Sequence, residues 1–260
     1  METTYNKLEK QVFSFDFDNT ILVKNKEHNG TGESLDDLIA DSLRTHFEKN
    51  NLSSVLLKKE ISAIQEICAQ GMAGEINFAE SLNGRLAVLK KYGIEITKEI
   101  INKYVEKAKS QIDPEMIQLL KNLQAAGHTV VVVSGGFEDW IIPMLEGIVP
   151  KENIRCNRIK NPAKPLVVEN VIRQTKAELI QTLKEDGTIS KDAQITAIGD
   201  GMTDFELFEQ GIAQKFIGAF YSENRPAVRQ KVLEYNQVYF DDFDKFVEYM
   251  RKEYLLKIAA

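Results

Sequence analysis

Apolar positions follow two different rhythms along this chain. From Val12 to Phe17 nearly every residue is apolar and the run ends in acid, which suits a central strand covered on both faces. From about Ser34 to Lys109 the apolar positions recur at helical spacing, with no convincing strand. Leu35, Leu38, Ile39, Leu43 and Phe47 form one stripe, Leu57, Ile61, Ile64 and Ile67 a second, and Leu82, Leu86 and Leu89 a third. The turn Gln70-Gly71-Met72-Ala73-Gly74 interrupts them. Asp113-Pro114 then opens a helix, with an acid that can cap it and a proline whose missing N–H costs nothing there, and Gly127 closes it. Beyond lie a β-branched strand Thr129–Val133, a helix from Phe137, a helix over Thr175–Lys184 and a strand Gln194–Ile198. A helix from Met202, a short strand Ala213–Ile217 and a last helix from Asp241 follow. Asn161-Pro162-Ala163-Lys164-Pro165 reads as the clearest loop. Strands alternating with helices predict an α/β fold with a parallel sheet and right-handed crossovers. The sheet-forming sequence is split: residues 1–23 and 110–260 make an α/β core, and residues 24–109 an all-helical insertion.

Composition narrows the partners. At 260 residues the chain can bury a full core, and its apolar fraction of 43% is that of a soluble globular protein. A formal charge of −6 argues against a nucleic-acid backbone as partner, but not against a small phosphorylated one, which responds to local charge. Cys68 and Cys156 are widely spaced and fit no metal or redox pattern, so reduced thiols in a cytoplasmic protein are expected. The polar start METTYNKLEKQ with no long apolar segment behind it predicts neither a signal peptide nor a membrane span. His28, His46 and His128 read as packing or surface residues, and Trp140 as a packing residue early in its helix.

Three short motifs carry candidate chemistry: Asp16-Phe17-Asp18-Asn19-Thr20, Ser134-Gly135-Gly136-Phe137 and Gly199-Asp200-Gly201-Met202-Thr203-Asp204. Each follows a strand-like run, and ligands bind outside the carboxyl ends of strands in open α/β sheets. Lys176 lies between the second and third. Each motif alone also reads as an ordinary turn, and Lys176 alone as a solvated helix lysine; their order makes them a set. Side chains two apart on a strand face the same way, so Asp16 and Asp18 are expected side by side, a repulsion that a divalent cation relieves. Asp200 adds a third acid from another strand end. With no His or Cys cluster near, the oxygen donors favour Mg²⁺ over zinc. A carboxylate can attack phosphorus and a second acid can move the proton. Ser134, the Gly135 and Gly136 backbone and Lys176 can hold the phosphoryl oxygens.

These residues resemble the haloacid dehalogenase superfamily of phosphoryl-transfer enzymes, with Asp16–Thr20, Ser134, Lys176 and Gly199–Asp204 as its four motifs. Within it, Met72-Ala73-Gly74-Glu75-Ile76-Asn77-Phe78-Ala79-Glu80-Ser81-Leu82-Asn83-Gly84-Arg85 resembles the cap pattern of phosphoserine phosphatases. The resemblance implies a Rossmann-like core with an inserted helical cap, acting on a small phosphorylated substrate such as phosphoserine, as a monomer or homodimer. It implies Asp16 as nucleophile and Asp18 as general acid/base. Asp16, the Asp18 carbonyl and Asp200 would hold Mg²⁺, with Asp204 supporting them. Ser134, Gly135, Gly136, Lys176 and Thr203 would meet the phosphate. In the cap, Arg85 would bind a substrate carboxylate, Met72 and Phe78 would shape the pocket, and Glu33 rather than Glu27 would read an amino group. Arg229 resembles a late substrate-side arginine. The sequence departs from the pattern in a longer link before the cap, in Ala73 where glycine is usual, and in the proline-rich stretch within Asn157–Ile172. A signalling module phosphorylated on aspartate is the competing class, but it needs neither Asp18 nor a helical insertion.

Overall fold

The structure, a computed structural model, describes residues 10–22, 34–73, 75–219 and 226–255. The described strands are β1 (Val12–Phe15), β2 (Thr129–Phe137), β3 (Ile154–Ile159), β4 (Val171–Ile172), β5 (Ile195–Gly199), β6 (Lys215–Gly218) and β7 (Val238–Tyr239). They form one sheet in the order β4-β3-β2-β1-β5-β6-β7. β1 lies at its centre with every residue buried, and Phe15 stands level with Val132 on one side and Ile198 on the other. These neighbours run parallel to β1, while β4 runs antiparallel to β3. The order reverses direction beside β1, which opens a crevice at the carboxyl ends of β1 and β5.

Between β1 and β2 the chain forms α1 (Ser34–Lys49), α2 (Ser54–Ala73), α3 (Phe78–Lys90) and α4 (Lys98–Ala108). These precede α5 (Pro114–Ala125), and α6 (Glu138–Met144), α7 (Lys176–Glu185), α8 (Met202–Glu209), α9 (Pro226–Glu234) and α10 (Phe243–Tyr254) follow. Alternation along the strands divides the core in two. Phe13, Phe15, Val130 and Val132 pack with α5, α6, α10 and the inserted helices, whereas Val12, Val131, Val133, Ile195 and Ala197 pack with α7, α8 and α9. Local chemistry sets the helix starts. The Asp113 side chain accepts the Glu115 N–H with Pro114 in the first turn, and Asn77/Glu80 and Thr175/Glu178 make reciprocal capping boxes ahead of α3 and α7.

β4, β7 and α9 lie where the sequence predicted no element, and three further differences stand out. β2 continues through Ser134-Gly135-Gly136 to Phe137, with its register against β3 shifting beyond Val133, so α6 starts at Glu138. β3 was hidden because Arg155, Asn157 and Arg158 interrupt its apolar run. The second stripe covers less than its period suggests: in α2 only Ile64 of the four is fully buried, while Val55 at the helix start is 76% exposed. No helix among the described residues is long and apolar enough to cross a membrane.

Candidate active site

Register brings the motifs together. Because Phe15 pairs with both Val132 and Ile198, the residues that follow in each strand emerge at one level, and the Asp16 N–H bonds the Ile198 carbonyl at 2.8 Å. Asp16, Asp200 and Asp204 are buried, and one carboxylate oxygen from each lies within 4.8 Å of the others. Asp204, expected to stand behind the cluster, is part of it. Lys176 Nζ lies 2.9 Å from Asp16 Oδ1 and 2.6 Å from Asp204 Oδ1. Both contacts are of hydrogen-bonding length, so the ammonium bridges the two acids. Burial pulls the Lys176 ammonium down, but the Asp16 and Asp204 carboxylates outweigh it and hold it above its ordinary value. Burial, with the Asp16 charge beside it, pushes Asp204 up to about 7 against the pull of Lys176. Three carboxylates against one lysine leave surplus negative charge in a buried place. An all-oxygen donor set of that kind fits a hard divalent cation.

Asp18 does not share this cluster. β1 ends at Phe15 and the chain turns at Phe17, whose carbonyl accepts the Thr20, Ile21 and Leu22 N–H groups, so Asp18 lies in a turn rather than in the strand. Asp18 Oδ1 accepts the Ser34 N–H at 2.9 Å. Its Oδ2 faces the second motif: a Cβ placed on Gly136 would lie 3.4 Å from Asp18 Oδ2 and 3.4 Å from Ser134 Oγ. The Ser134 hydroxyl accepts the Gly136 N–H at 3.0 Å, and a Cβ on Gly135 would meet nothing within 4 Å. Gly135 thus leaves its backbone open to an approaching anion. Asn157, which sequence reasoning missed, donates to the Gly135 carbonyl at 2.6 Å and accepts the Gln174 N–H at 3.1 Å, tying this loop to the approach of Lys176.

The insertion contributes a buried ion pair. Arg85 Nη1 bonds Asp36 Oδ1 at 2.8 Å and Arg85 Nε bonds the Ser81 carbonyl at 3.3 Å. Asp36 is 1% exposed and Arg85 7%. Asp36 carried no sequence signal beyond a common acidic first turn. Phe78 opens α3 and is covered by the Arg173 guanidinium, 4.8 Å from its ring centre, a contact between insertion and core. Among the described residues the buried Tyr104 hydroxyl has no hydrogen-bond partner, and burial raises it well above its ordinary value, reinforced by the charges of Asp37, Asp18 and Asp41.

Other expected residues stand apart or beyond description. Thr203 is exposed on the first turn of α8. Arg229 lies on α9 beside the β7 edge, 3.6 Å from Asp241 and over the Tyr239 ring at 5.8 Å, and not at the acid cluster. Glu33 and Glu27 fall outside the described residues, as does the side chain of Met72.

Comparisons agree with this geometry. A family profile of haloacid dehalogenase-like hydrolases matches residues 13–209. A phosphoserine phosphatase of Drosophila melanogaster is 26% identical over 212 residues, 75% of this chain and 74% of that protein. A 2-hydroxy-3-keto-5-methylthiopentenyl-1-phosphate phosphatase of Bacillus cereus is 25% identical over 192 residues, 68% of this chain and 83% of that one. The crystal structure of a phosphoserine phosphohydrolase-like protein from Francisella tularensis superposes with a TM-score of 0.64 at 25% identity, over 92% of this chain and 99% of the other. The chain belongs to the haloacid dehalogenase-like hydrolases. Within them it is phosphoserine phosphatase-like, a phosphoric monoester hydrolase.

Proposed function

We propose that the chain hydrolyses O-phosphoserine to serine and phosphate with Mg²⁺, through an aspartyl-phosphate on Asp16. The observation that carries this is the convergence of Asp16, Asp200, Asp204 and Lys176 at one level of the sheet, across from the Ser134–Gly136 loop. Asp16, Asp200 and the Asp18 carbonyl would hold Mg²⁺, with Asp204 beside them. When bound, the cation offsets the surplus carboxylate charge and that of the phosphoryl group. An Asp16 oxygen attacks phosphorus while the ester P–O bond breaks, and Asp18 gives its proton to the leaving serine oxygen. Asp18 then takes a proton from water, whose oxygen attacks phosphorus and releases phosphate and the Asp16 carboxylate. Ser134, the Gly135-Gly136 backbone and Lys176 stabilise the equatorial oxygens.

The helical insertion, residues 24–109, is read as the cap that selects the substrate. Arg85 meets the carboxylate, Phe78 and Met72 bound the pocket, and Glu33 meets the amino group. Cys156, buried, and Cys68, half-buried, are not joined in a disulfide, which suits a reducing cytoplasm. One observation favours a second reading, another small phosphate ester: Arg85 is already matched by Asp36, so its charge is shared before a substrate arrives. A screen with Mg²⁺ decides between them, comparing phosphoserine with phosphothreonine, phosphoethanolamine and glycerol phosphate. Highest kcat/KM on phosphoserine is expected. A clear preference for an ester without the carboxylate would transfer the assignment to the second reading.

A further inference from the structure

Asp18 is held by Ser34, and Ser34 is held in turn by Trp140. Asp18 Oδ1 accepts the backbone N–H of Ser34, the first residue of α1, and the Ser34 hydroxyl accepts the indole N–H of Trp140 from α6 at 2.9 Å. Ser34 and Trp140 are 0% exposed and Asp18 8%. The first of these bonds has an ordinary explanation, since a helix N-terminus leaves N–H groups without partners and attracts a carboxylate. The second does not follow from capping. A buried indole N–H needs an acceptor, and here the acceptor is the hydroxyl of the residue whose backbone N–H bonds the acid. Trp140 is itself fixed by tilted packing on Phe137, 4.6 Å between ring centres, at the end of the strand that bears Ser134.

We propose that Trp140 and Ser34 are positioning residues for proton transfer. The indole fixes Ser34, Ser34 occupies Asp18 Oδ1, and Asp18 Oδ2 is thereby aimed at the phosphate side, toward Gly136 and Ser134. The proton given to the leaving oxygen, and the one later taken from water, both pass through Oδ2. This rests on the reading of Asp18 as the acid/base.

The test compares an alkyl with an aryl ester: phosphoserine, or the alkyl phosphate turned over fastest in the screen, against 4-nitrophenyl phosphate. An aryl leaving group needs little protonation, so misalignment of Asp18 shows in kcat/KM only on the alkyl ester; kcat/KM ends with departure of the leaving group and excludes hydrolysis of the aspartyl-phosphate, which both esters share. Ser34→Ala, which keeps the backbone N–H, and Trp140→Phe should each lower kcat/KM on the alkyl ester roughly 10- to 100-fold, the scale of a small misplacement of a reacting group. The aryl kcat/KM should change little. Ser34→Ala removes a single oxygen atom and serves if Trp140→Phe fails to fold. It should also shift the emission of Trp140, the chain's one tryptophan, because the indole loses its acceptor. Equal losses on both esters would make the pair merely structural, and no loss would reduce Ser34 to a helix cap; either overturns the proposal. Asp18→Asn, run beside them, separates the two readings. Its alkyl-selective loss with none in Ser34→Ala rejects the positioning role alone, whereas equal losses in Asp18→Asn reject the acid/base reading and the positioning role with it.

Discussion

One added carbon at Gly199 would lie 2.2 Å from Asp204 Cγ and 2.5 Å from its Oδ2. The glycine therefore exists to let a buried carboxylate lie over the end of β5. Gly199→Ala should push Asp204 out of the cluster, lower activity on the order of 10² and weaken the rise in Tm on adding Mg²⁺. A normal Mg²⁺-dependent rise in that variant would separate Asp204 from the cation. Asp16→Asn should abolish turnover with the fold intact, because an amide is a poor nucleophile; circular dichroism and a phosphate-release assay check it. The Arg85–Asp36 pair has two roles to disentangle. Removing one partner of a buried pair typically costs about 3–5 kcal/mol, so Asp36→Ala should destabilise the insertion on urea unfolding. Arg85→Ala should in addition hurt phosphoserine far more than phosphoethanolamine, which lacks a carboxylate. Equal losses on the two substrates would leave the arginine a structural residue. At this scale Asp16 and Asp200 were legible because each sits just past an apolar strand, where a charge has no structural reason to be. Asp36 was not, since its partner lies 49 residues away and an acid in a first turn is commonplace.

Elements turn these residues into a site. The Thr175/Glu178 capping box fixes where α7 begins, and so delivers Lys176, its first residue, to Asp16 and Asp204. That start was readable from the sequence. β3 was not: its Arg155, Asn157 and Arg158 look like loop residues, yet Asn157 is 2% exposed because its amide replaces the backbone partners that Gly135 and Gln174 lack. A polar side chain that serves two distant backbone groups leaves no periodic trace. Asn157→Ala would leave the Gly135 carbonyl and Gln174 N–H without this amide, and a hydrogen bond is worth about 0.5–1.5 kcal/mol net. With both bonds lost the loop loosens, and inhibition by inorganic phosphate should weaken by about tenfold, near 1.4 kcal/mol, with Tm falling. Unaltered phosphate inhibition in a folded Asn157→Ala protein would show that the loop holds its shape without the tie.

Across the whole molecule, the separation of a helical insertion from a split sheet was visible because helical and strand periods differ and do not mix along this chain. The strand order was not, because it depends on which face each crossover covers. What closes the far end of the sheet was hidden for the same reason. His128 joins three segments there. Gln11 N–H donates to its Nδ1 at 3.3 Å, its Nε2 lies 3.3 Å from the Tyr254 carbonyl at the end of α10, and its ring meets Phe13 edge-on at 5.2 Å. With Nδ1 accepting, the neutral ring donates from Nε2, so a second proton has nowhere to go without opposing the Gln11 N–H. Burial moves His128 below its ordinary value, against the pull of the Tyr254 carbonyl, and the residue is 5% exposed. The sign follows from linkage. The unfolded chain takes up a proton at His128 near its reference value of about 6.5, while the folded chain does so only at lower pH. The stability due to the neutral ring is therefore present above about pH 6.5 and declines as pH falls through that value toward the depressed folded one. His128→Gln can keep both hydrogen bonds and does not titrate. Tm measured from pH 7.5 down to 5, values within roughly a unit or so of the histidine reference, should fall more steeply for the natural chain than for His128→Gln. Parallel curves over that range would mean that the ring protonates in place and that the join between Gln11, β2 and α10 tolerates the charge.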